Sequence, residues 1–464
     1  MLLRALADRI SQVTYEGLPD EAVATAKQGI LDTIGVTLAG AHDETTATVA
    51  RALRRTAGTG PALIFGTDDR VDVLTAALIN GTAAHALDFD DCNNTLGGHP
   101  SAPLLPALWA IAAGASGRAF VAAYAAGFEC ETRLARTVNF HHYDKGWHPT
   151  ATLGTFGSAA ACGHLLKLDA DQLATALALA ASMAAGVKAN FGTMTKPFHV
   201  GQTTRNGLLA ALLAKEGMTA NAGALEHPQG FFAVYNGAGN FDADRLLEHW
   251  GDPYDLADPG IAFKRHPCCG STHTAVDAML ALRETHALKA ERVARIESWT
   301  HPSRLAHTNR PDPKSGLDGK FSIQYVLARA LMHGIISMEH FSDTAVRDPV
   351  ARALAARVHA AADPAATADA RFHCRLRITT VDGETFEHRQ SHPVGRDNGH
   401  PLPAGALEAK FRDCAQIALD TPAMEALIAQ CAALESLPDV AQILDVIAAG
   451  VKAPPIAARS RAYA

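Results

Sequence analysis

The sequence lacks the motifs of the nucleotide-binding folds. Its 464 residues contain no G-x-G-x-x-G segment after a strand and no P-loop, so neither a dinucleotide nor a nucleoside triphosphate is implied. Basic residues are also in the minority, with 41 Lys and Arg against 48 Asp and Glu. Because a nucleic-acid partner would require a basic face, we expect none.

Long apolar runs are missing too. The longest one, residues 173–187, contains Thr175 and Ser182 and ends at Lys188, which is short for a membrane span and typical of a buried helix. The first ten residues, MLLRALADRI, carry charges inside what would have to be the apolar core of a signal peptide. We therefore expect no membrane partner.

Cysteine pairing patterns are absent as well. The eight cysteines are scattered without a C-x-x-C pair, and the adjacent Cys268 and Cys269 have a poor geometry for a disulfide. This pattern predicts a reduced protein with a cytoplasmic location.

What the sequence does contain is helical periodicity. A chain of this length predicts two domains. Residues 20–40 repeat apolar side chains at three- and four-residue spacing, with Asp20 as the predicted cap and Gly40 as the predicted end. Further helices are predicted at about 72–87, 103–115, 118–137, 150–167, 170–188 and 201–217.

The pattern changes after about residue 260. Residues 292–301 and 371–389 carry alternating and β-branched side chains, and Asp382 with Gly383 predicts a hairpin turn in the second segment. Helices are predicted between the strands, at about 271–286, 322–333 and 341–358, and again beyond residue 400. The predicted fold class is mainly α, with a large all-helical domain (1–260 with 400–464) and a smaller α+β domain (261–399).

Five polar segments interrupt the apolar background. The first, HALDFDDCNNTLGGHPS, places three carboxylates and His99 around a Gly-Gly turn. The other four are GWHPT with His148, KPFHVGQ with Lys196, FKRHPCCGSTH with Lys264 to His273, and KFSIQY with Tyr325.

Each segment has a structural interpretation beside the catalytic one. His148 adjoins a proline at a helix start, where an imidazole often only bonds a backbone group. The aspartates could form a solvated loop, and Lys196 could be a surface lysine. The neighbours of Lys196, such as Phe191 and Phe198, are however mostly apolar, and a lysine in such surroundings can act as a base.

A metal site is a further alternative. Asp88, Asp90, Asp91 and His99 offer hard ligands, but the carboxylates do not follow the spacing of a Ca²⁺ loop. Cys269 and His273 are four residues apart and could share a helical face. Without a metal, histidines and lysines at helix starts suit a ligand that carries several carboxylates. Such a site can remove a proton next to a carboxylate and hold the resulting charge, as in elimination, decarboxylation or epimerisation.

Taken together, the five segments resemble the MmgE/PrpD family, which includes 2-methylcitrate dehydratase, cis-aconitate decarboxylase and iminodisuccinate epimerase. They occur in family order, and the resemblance extends over nearly the whole chain. It implies a helical domain, a smaller α+β lid domain, a homodimer, a small di- or tricarboxylate substrate and no cofactor.

The resemblance also implies a set of site residues. The catalytic ones are His99, Lys196, His148, Asp88 and Tyr325, and the substrate-binding ones are Lys264, Arg265, Cys92, Cys269 and His273. His99 and Lys196 are the leading acid–base pair. Lys264 with Arg265 would anchor carboxylates.

Two departures bear on the reaction. Cys269 stands where the decarboxylase-like members have a histidine, and Cys92 stands where they have a threonine. The dehydratases have HPSDN where this chain has HPSAP, and they lack GWHPT. We expect a lyase of the 2-methylcitrate dehydratase type. The alternatives are an iminodisuccinate-type epimerase, a cis-aconitate decarboxylase, a metal-dependent lyase and, last, a non-catalytic binding protein.

Overall fold

The computed structural model describes residues 1–367, 371–397 and 399–452. The chain divides into two compact units. One consists of Met1–Ala262 and the segment from Leu407 onward, and the other is Phe263–Ala406. Within the described residues helices dominate and the sheets are small, so the predicted fold class, mainly α with a small α+β part, is confirmed.

The first unit opens with eleven α-helices among its described residues. They are α1 (Leu2–Ser11), α2 (Asp20–Gly40), α3 (Glu44–Leu53), α4 (Val73–Ala86), α5 (Ser101–Ala110), α6 (Gly117–Val138), α7 (His141–Lys145), α8 (Pro149–Leu165), α9 (Ala170–Met183), α10 (Thr195–Lys215) and α11 (Phe231–Asn236). Between α3 and α4, β1 (Ala62–Leu63) pairs antiparallel with β2 (Arg70–Val71).

The second unit combines short helices with one sheet. Its helices are α12 (Gly270–Thr285), α13 (Pro302–Thr308), α14 (Gly316–Lys320), α15 (Ile323–His333), α16 (Asp343–Val346) and α17 (Pro349–Ala355). Its strands are β3 (Val293–Thr300), β4 (Val358–Ala362), β5 (Cys374–Thr380) and β6 (Thr385–Gln390), in the order β4-β3-β5-β6. The chain then returns to the first unit through α18 (Ala406–Ala415), α19 (Thr421–Ala432) and α20 (Ala441–Ala449).

Close approach of α4, α8 and α10 builds the centre of the first unit. A Cβ on Gly81 of α4 would overlap the Thr204 hydroxyl of α10, and a Cβ on Gly201 of α10 would overlap the Thr82 hydroxyl of α4. Glycine at both crossings lets the two backbones touch. The last turn of α4 and the first turn of α10 therefore lie near each other.

The sheet of the second unit follows the predicted alternation. In β5 the alternate residues Cys374, Leu376, Ile378 and Thr380 are buried, as expected for a strand with one face on the core. The β5–β6 hairpin turns through Gly383 at φ 88°, which confirms the predicted turn.

Three local predictions were wrong. The cap position of α2 is Pro19, and Asp20 is the first helical residue without a side-chain cap bond. Helix α10 begins at Thr195 and not near Gly201, because Pro197 falls in the first turn, where its missing N–H has no intrahelical partner to lose. β4 was not predicted, since its alanines give almost no strand signal.

Two expectations of the sequence concern membranes and disulfides. All eight cysteines are free. Within the described ranges, no helix has both the length and the apolar character that a bilayer crossing requires.

Candidate active site

The loop between α4 and α5 is clamped at its base by a buried aspartate. The Asp91 carboxyl accepts a hydrogen bond from the Ser101 amide at 3.3 Å and is also hydrogen-bonded to the Ser101 hydroxyl. That hydroxyl lies 2.6 Å from the Tyr124 hydroxyl. Asp91 therefore faces the helical core, and the clamp brings Asp90 and His99, one from each arm of the loop, next to each other.

The loop backbone adopts unusual conformations within the same stretch. Asp88 has φ 53° and Gly97 has φ 64°, and a Cβ on Gly97 would lie 2.9 Å from the Phe140 ring. A left-handed aspartate is uncommon and is tolerated where the surroundings fix it. The His99 amide donates to Thr150 Oγ1 at 3.0 Å, so Thr150 ties this loop to α8.

Asp90 lies between two imidazoles. Its Oδ2 atom is 2.7 Å from His85 Nδ1 and 3.1 Å from His99 Nδ1. The two rings meet edge to face with centroids 4.5 Å apart. The side chains of His85 and Asp90 are fully buried.

The opposite edge of His99 faces an ion pair. Its Nε2 atom lies 3.6 Å from Asp88 Oδ1, and the Lys196 ammonium contacts the same oxygen at 2.7 Å. Lys196 also lies 5.4 Å from the centroid of the Phe191 ring. The side chains of His99, Asp88 and Lys196 are 12%, 19% and 17% exposed, so a small ligand can reach them. The structure thus brings three of the predicted catalytic residues together.

His148 lies on the other side of His85. It stands at the cap position of α8, and its ring centroid is 5.7 Å from that of His85 and 4.9 Å from that of Phe191. Its Nδ1 atom is 3.3 Å from Nδ1 of His199. His148 is therefore part of the same cluster, with His199 as its neighbour.

The buried charges divide these groups into cationic and neutral ones. Burial opposes protonation of His99, but Asp90 and then Cys92 outweigh it and raise the pKa of His99 to about 10. Burial also opposes ionisation of Asp90, but His85 and His99 hold its pKa well below the usual value. Burial lowers the pKa of His85 to about 4 and that of His148 well below 6.5. At neutral pH the cluster therefore holds a cationic His99 and two neutral imidazoles.

Cys92 belongs to this cluster as well. Its Sγ atom lies 3.8 Å from His99 Nδ1, and its backbone forms a two-way bridge with Ala262. The structure places this predicted substrate-binding residue beside the ring that carries the positive charge.

The remaining predicted residues lie in the second unit. Four of them gather around the start of α12: Lys264, Arg265, Cys269 and His273. The Arg265 guanidinium pairs with Asp277 at 3.1 Å. His273 Nε2 lies 3.1 Å from the Cys268 carbonyl, and burial lowers the pKa of His273 to about 3. The role of Lys264 and Arg265 as carboxylate anchors stays a prediction.

Tyr325 occupies a core position in the second unit. Its hydroxyl donates to the His340 carbonyl at 2.5 Å and accepts from Arg329 Nε at 2.9 Å. The side chain is 1% exposed. These contacts give the hydroxyl a structural use, and the catalytic role of Tyr325 stays a prediction.

The candidate ligands of the metal alternative lie in two different environments, and that alternative stays a prediction. Asp91 faces Ser101, away from Asp88 and His99. A closer group, His85, Asp90 and His99, has its three nearest atoms within 4.8 Å. Both ring Nδ1 atoms are at hydrogen-bond distance from the one Asp90 oxygen. The donor set therefore fits a hydrogen-bonded array.

Three residues of the cluster were not among the predicted site residues. His85 and Asp90 lie in the first polar segment, and His199 stands one turn after Lys196. Helical spacing could have indicated His199, since residues three or four apart share a helix face. Nothing in the sequence distinguishes Asp90 from Asp91.

The buried neutral histidines predict loss of stability in acid. His85, His142 and His273 have folded pKa values of about 4, 4 and 3, below their unfolded value of 6.5. Below pH 6.5 the unfolded chain binds protons that the folded one does not, so the free energy of unfolding falls as pH falls. The slope is about 1.4 kcal/mol per pH unit for each of them. Urea unfolding between pH 7 and 4.5 measures this slope.

His99 acts in the opposite direction. Its folded pKa of about 10 lies above 6.5, so its contribution is complete below pH 6.5 and is lost as pH rises toward 10. Replacing the exposed His249 with glutamine should leave the acidic and the alkaline parts of the stability–pH profile unchanged. A flat profile between pH 4.5 and 6.5 would contradict burial of these rings in the neutral form.

The fold and the cluster define a mainly helical protein with acidic and basic side chains gathered in one partly buried site. Comparison with known proteins gives the family. The MmgE/PrpD N-terminal domain matches residues 4–244 and the MmgE/PrpD C-terminal domain matches residues 266–434. The chain belongs to the MmgE/PrpD family, and the resemblance seen in the five segments is confirmed.

Several curated relatives match almost end to end. The chain is 31% identical to cis-aconitate decarboxylase of Homo sapiens, covering 99% of this chain and 97% of that protein. It is 31% identical to cis-aconitate decarboxylase of Mus musculus, covering 94% and 91%. It is 27% identical to 2-methylcitrate dehydratase of Cupriavidus necator, covering 96% and 97%. These similarities support an enzyme that acts on a small carboxylic acid.

Proposed function

We propose that this protein is a lyase for a small di- or tricarboxylate and that His99 is its proton donor. One observation carries the proposal: His99 is held by Asp90 at Nδ1 while its Nε2 atom faces the Asp88–Lys196 ion pair. A cationic imidazole beside an ammonium group can bind a carboxylate and deliver a proton to the carbon next to it.

Decarboxylation uses these groups most directly. In a substrate whose leaving carboxylate is one carbon away from a C=C bond, the C–C bond breaks, carbon dioxide leaves and the electron pair enters the allylic system. The far carbon of that system takes the proton of His99 Nε2, and the ring regains a proton from solvent. Lys196 stabilises the negative charge of the intermediate. This route requires an acid and a cation but no strong base.

The neutral imidazoles support this order of candidates. Burial holds the pKa of His148 well below its usual value, which makes His148 a weak base. The mammalian relatives described above are decarboxylases of cis-aconitate by name. We therefore place decarboxylation of an unsaturated tricarboxylate first.

Dehydration of a hydroxy-tricarboxylate is the second candidate, favoured by the neutral His148 in the same cluster as the cationic His99. His148 would take the proton from carbon, the C–O bond would break, and the hydroxyl would leave as water with the proton of His99. The relative from Cupriavidus necator carries that activity in its name.

Proton NMR in D₂O distinguishes the candidates. We expect cis-aconitate to lose carbon dioxide and the product to carry one deuterium at the carbon that was protonated. With 2-methylcitrate or citrate, a new alkene signal without carbon dioxide would establish dehydration instead. Deuterium entering an unchanged skeleton, for example in iminodisuccinate, would establish epimerisation.

The matched control for this experiment is the His99→Gln variant, which keeps a polar side chain but cannot donate a proton from an imidazolium. It should lose at least about 10²-fold in rate with the active acid. No turnover and no exchange of any acid by the wild-type protein would overturn the proposed function.

A further inference from the structure

The Asp90 carboxylate sets which atom of each neighbouring ring carries hydrogen. An ionised carboxylate can only accept hydrogen bonds. Oδ2 is hydrogen-bonded to His85 Nδ1 at 2.7 Å and forms an ion pair with His99 Nδ1 at 3.1 Å, so an ionised Asp90 favours hydrogen on both nitrogens. His85 is thus the Nδ1–H tautomer, and the second nitrogen of His99 points away from the carboxylate toward Asp88 and Lys196. Cys92 Sγ also contacts His99 Nδ1, at 3.8 Å.

The array of His85, Asp90 and His99 lies in a buried region, where an ionised carboxylate is disfavoured. The side chains of His85 and Asp90 have no exposed surface. Among the described residues, Asp90 Oδ1 and His85 Nε2 have no hydrogen-bond partner. Burial of a carboxylate with an unsatisfied oxygen destabilises a fold. The fold therefore carries two unsatisfied polar atoms at this place.

The array has a clear geometric consequence for His99. With Nδ1 fixed on Asp90, the ring cannot flip, and only Nε2 is able to exchange a proton with a ligand. The titratable groups around His99 come from several elements: His85 from α4, Asp88, Asp90 and Cys92 from the loop, His148 from the start of α8, and Lys196 from α10. Among these, Asp90 is the carboxylate in contact with Nδ1.

We propose that His85 and Asp90 form a positioning pair for His99: His85 fixes the Asp90 carboxylate through Nδ1–H, and Asp90 holds the His99 ring so that Nε2 is its proton-exchanging atom. The catalytic role of His99 in this inference rests on the proposed function. The arrangement of the three side chains stands independently of it. Neither residue touches the substrate in this proposal, so both are positioning residues.

The chain offers a matched control in the next residue. Asp91 is also fully buried, but it bonds Ser101 and not a histidine. Asp90→Asn and Asp91→Asn make the same chemical change at adjacent buried positions. Only Asp90→Asn removes the negative charge that lies next to Nδ1 of His99.

Histidine-labelled protein without substrate provides the first readout. In ¹⁵N NMR, with the His99 signals assigned by their loss in His99→Gln, we expect wild-type His99 to carry hydrogen on both nitrogens at pH 8. Asp90→Asn should convert it to a neutral ring at that pH, whereas Asp91→Asn should leave it unchanged. A wild-type His99 without hydrogen on Nδ1, or a ring that is unchanged in Asp90→Asn, would overturn the positioning pair.

Variants of His85 provide the second readout. The amide nitrogen of an asparagine occupies about the place of imidazole Nδ1, so His85→Asn keeps a donor toward Asp90, whereas His85→Leu removes it. We expect kcat to remain within about 3-fold in His85→Asn and to fall by about 10- to 100-fold in His85→Leu, as when partners of an essential histidine are removed elsewhere. Equal loss in both variants would refute the donor role of Nδ1.

The two experiments separate the two proposals. If the NMR result is as expected and no acid is turned over, the positioning pair stands and the proposed function fails. If acids are turned over and Asp90→Asn keeps the wild-type rate and pH profile, the function stands and the positioning pair fails.

Discussion

Lys196→Ala is expected to lower kcat by about 10²- to 10³-fold, the cost of removing one preorganised group that stabilises developing charge. The Lys196 ammonium pairs with Asp88 at 2.7 Å and lies in the first turn of α10, next to the reactive edge of His99. Without it, the site loses the positive charge that faces Asp88, and a carboxylate substrate would bind beside that aspartate with one cation fewer. Steady-state kinetics with the acid identified by NMR measures this loss.

Lys215→Ala is the matched control for that experiment. Lys215 is in the last turn of the same helix and is exposed, so the same substitution there should leave kcat within about 2-fold and the circular dichroism unchanged, as expected of surface sites. A kcat for Lys196→Ala within a few-fold of wild type would remove Lys196 from the mechanism. Lys196→Arg tests whether a positive charge alone suffices.

The second large effect is expected on stability. Gly201→Ala should lower the free energy of unfolding by about 3 kcal/mol, at the upper end for overpacking of a core. The new Cβ would lie 2.5 Å from the Leu78 carbonyl and overlap the Thr82 hydroxyl, and both groups belong to α4. Because the neighbours are backbone and a short side chain, the helices must separate.

That separation should also lower activity, since α10 carries Lys196 and α4 carries His85. Urea unfolding measures the stability, and kcat is measured at a temperature where the variant is folded. Gly223→Ala in the same unit is the control, because its Cβ would meet only Asn221 Oδ1, at 3.5 Å. Equal stability of the two variants would contradict the close crossing of α4 and α10.

Helical periodicity predicted most of the first unit. Segments such as 118–137 and 150–167 differ from α6 and α8 by only one or two residues at each end, because buried helices leave a repeat of apolar and small side chains in the sequence. The errors fall where a local rule admits two outcomes. Pro197 is compatible with a helix start before it or after it, and the alanines of β4 favour no strand.

The candidate site was predicted as a set of residue types and only in part as a set of contacts. His99, Lys196, Asp88, His148 and Cys92 do lie in one cluster. Tyr325 uses its hydroxyl inside the second unit, and its sequence segment gives no sign of that, because its partner carbonyl is 15 residues away.

The sequence by itself determined the fold class, the family and the kinds of group available: imidazoles, a lysine and carboxylates in an otherwise apolar helical chain. Only the tertiary structure decided their division of roles. Asp90 and Asp91 are identical in type and adjacent, yet one is ionised between two imidazoles and the other faces a serine, with its pKa raised by burial and by Asp32. The reason is physical: the charge of a buried group depends on the atoms within a few ångströms of it, and packing of α4, α5 and α6 selects those atoms.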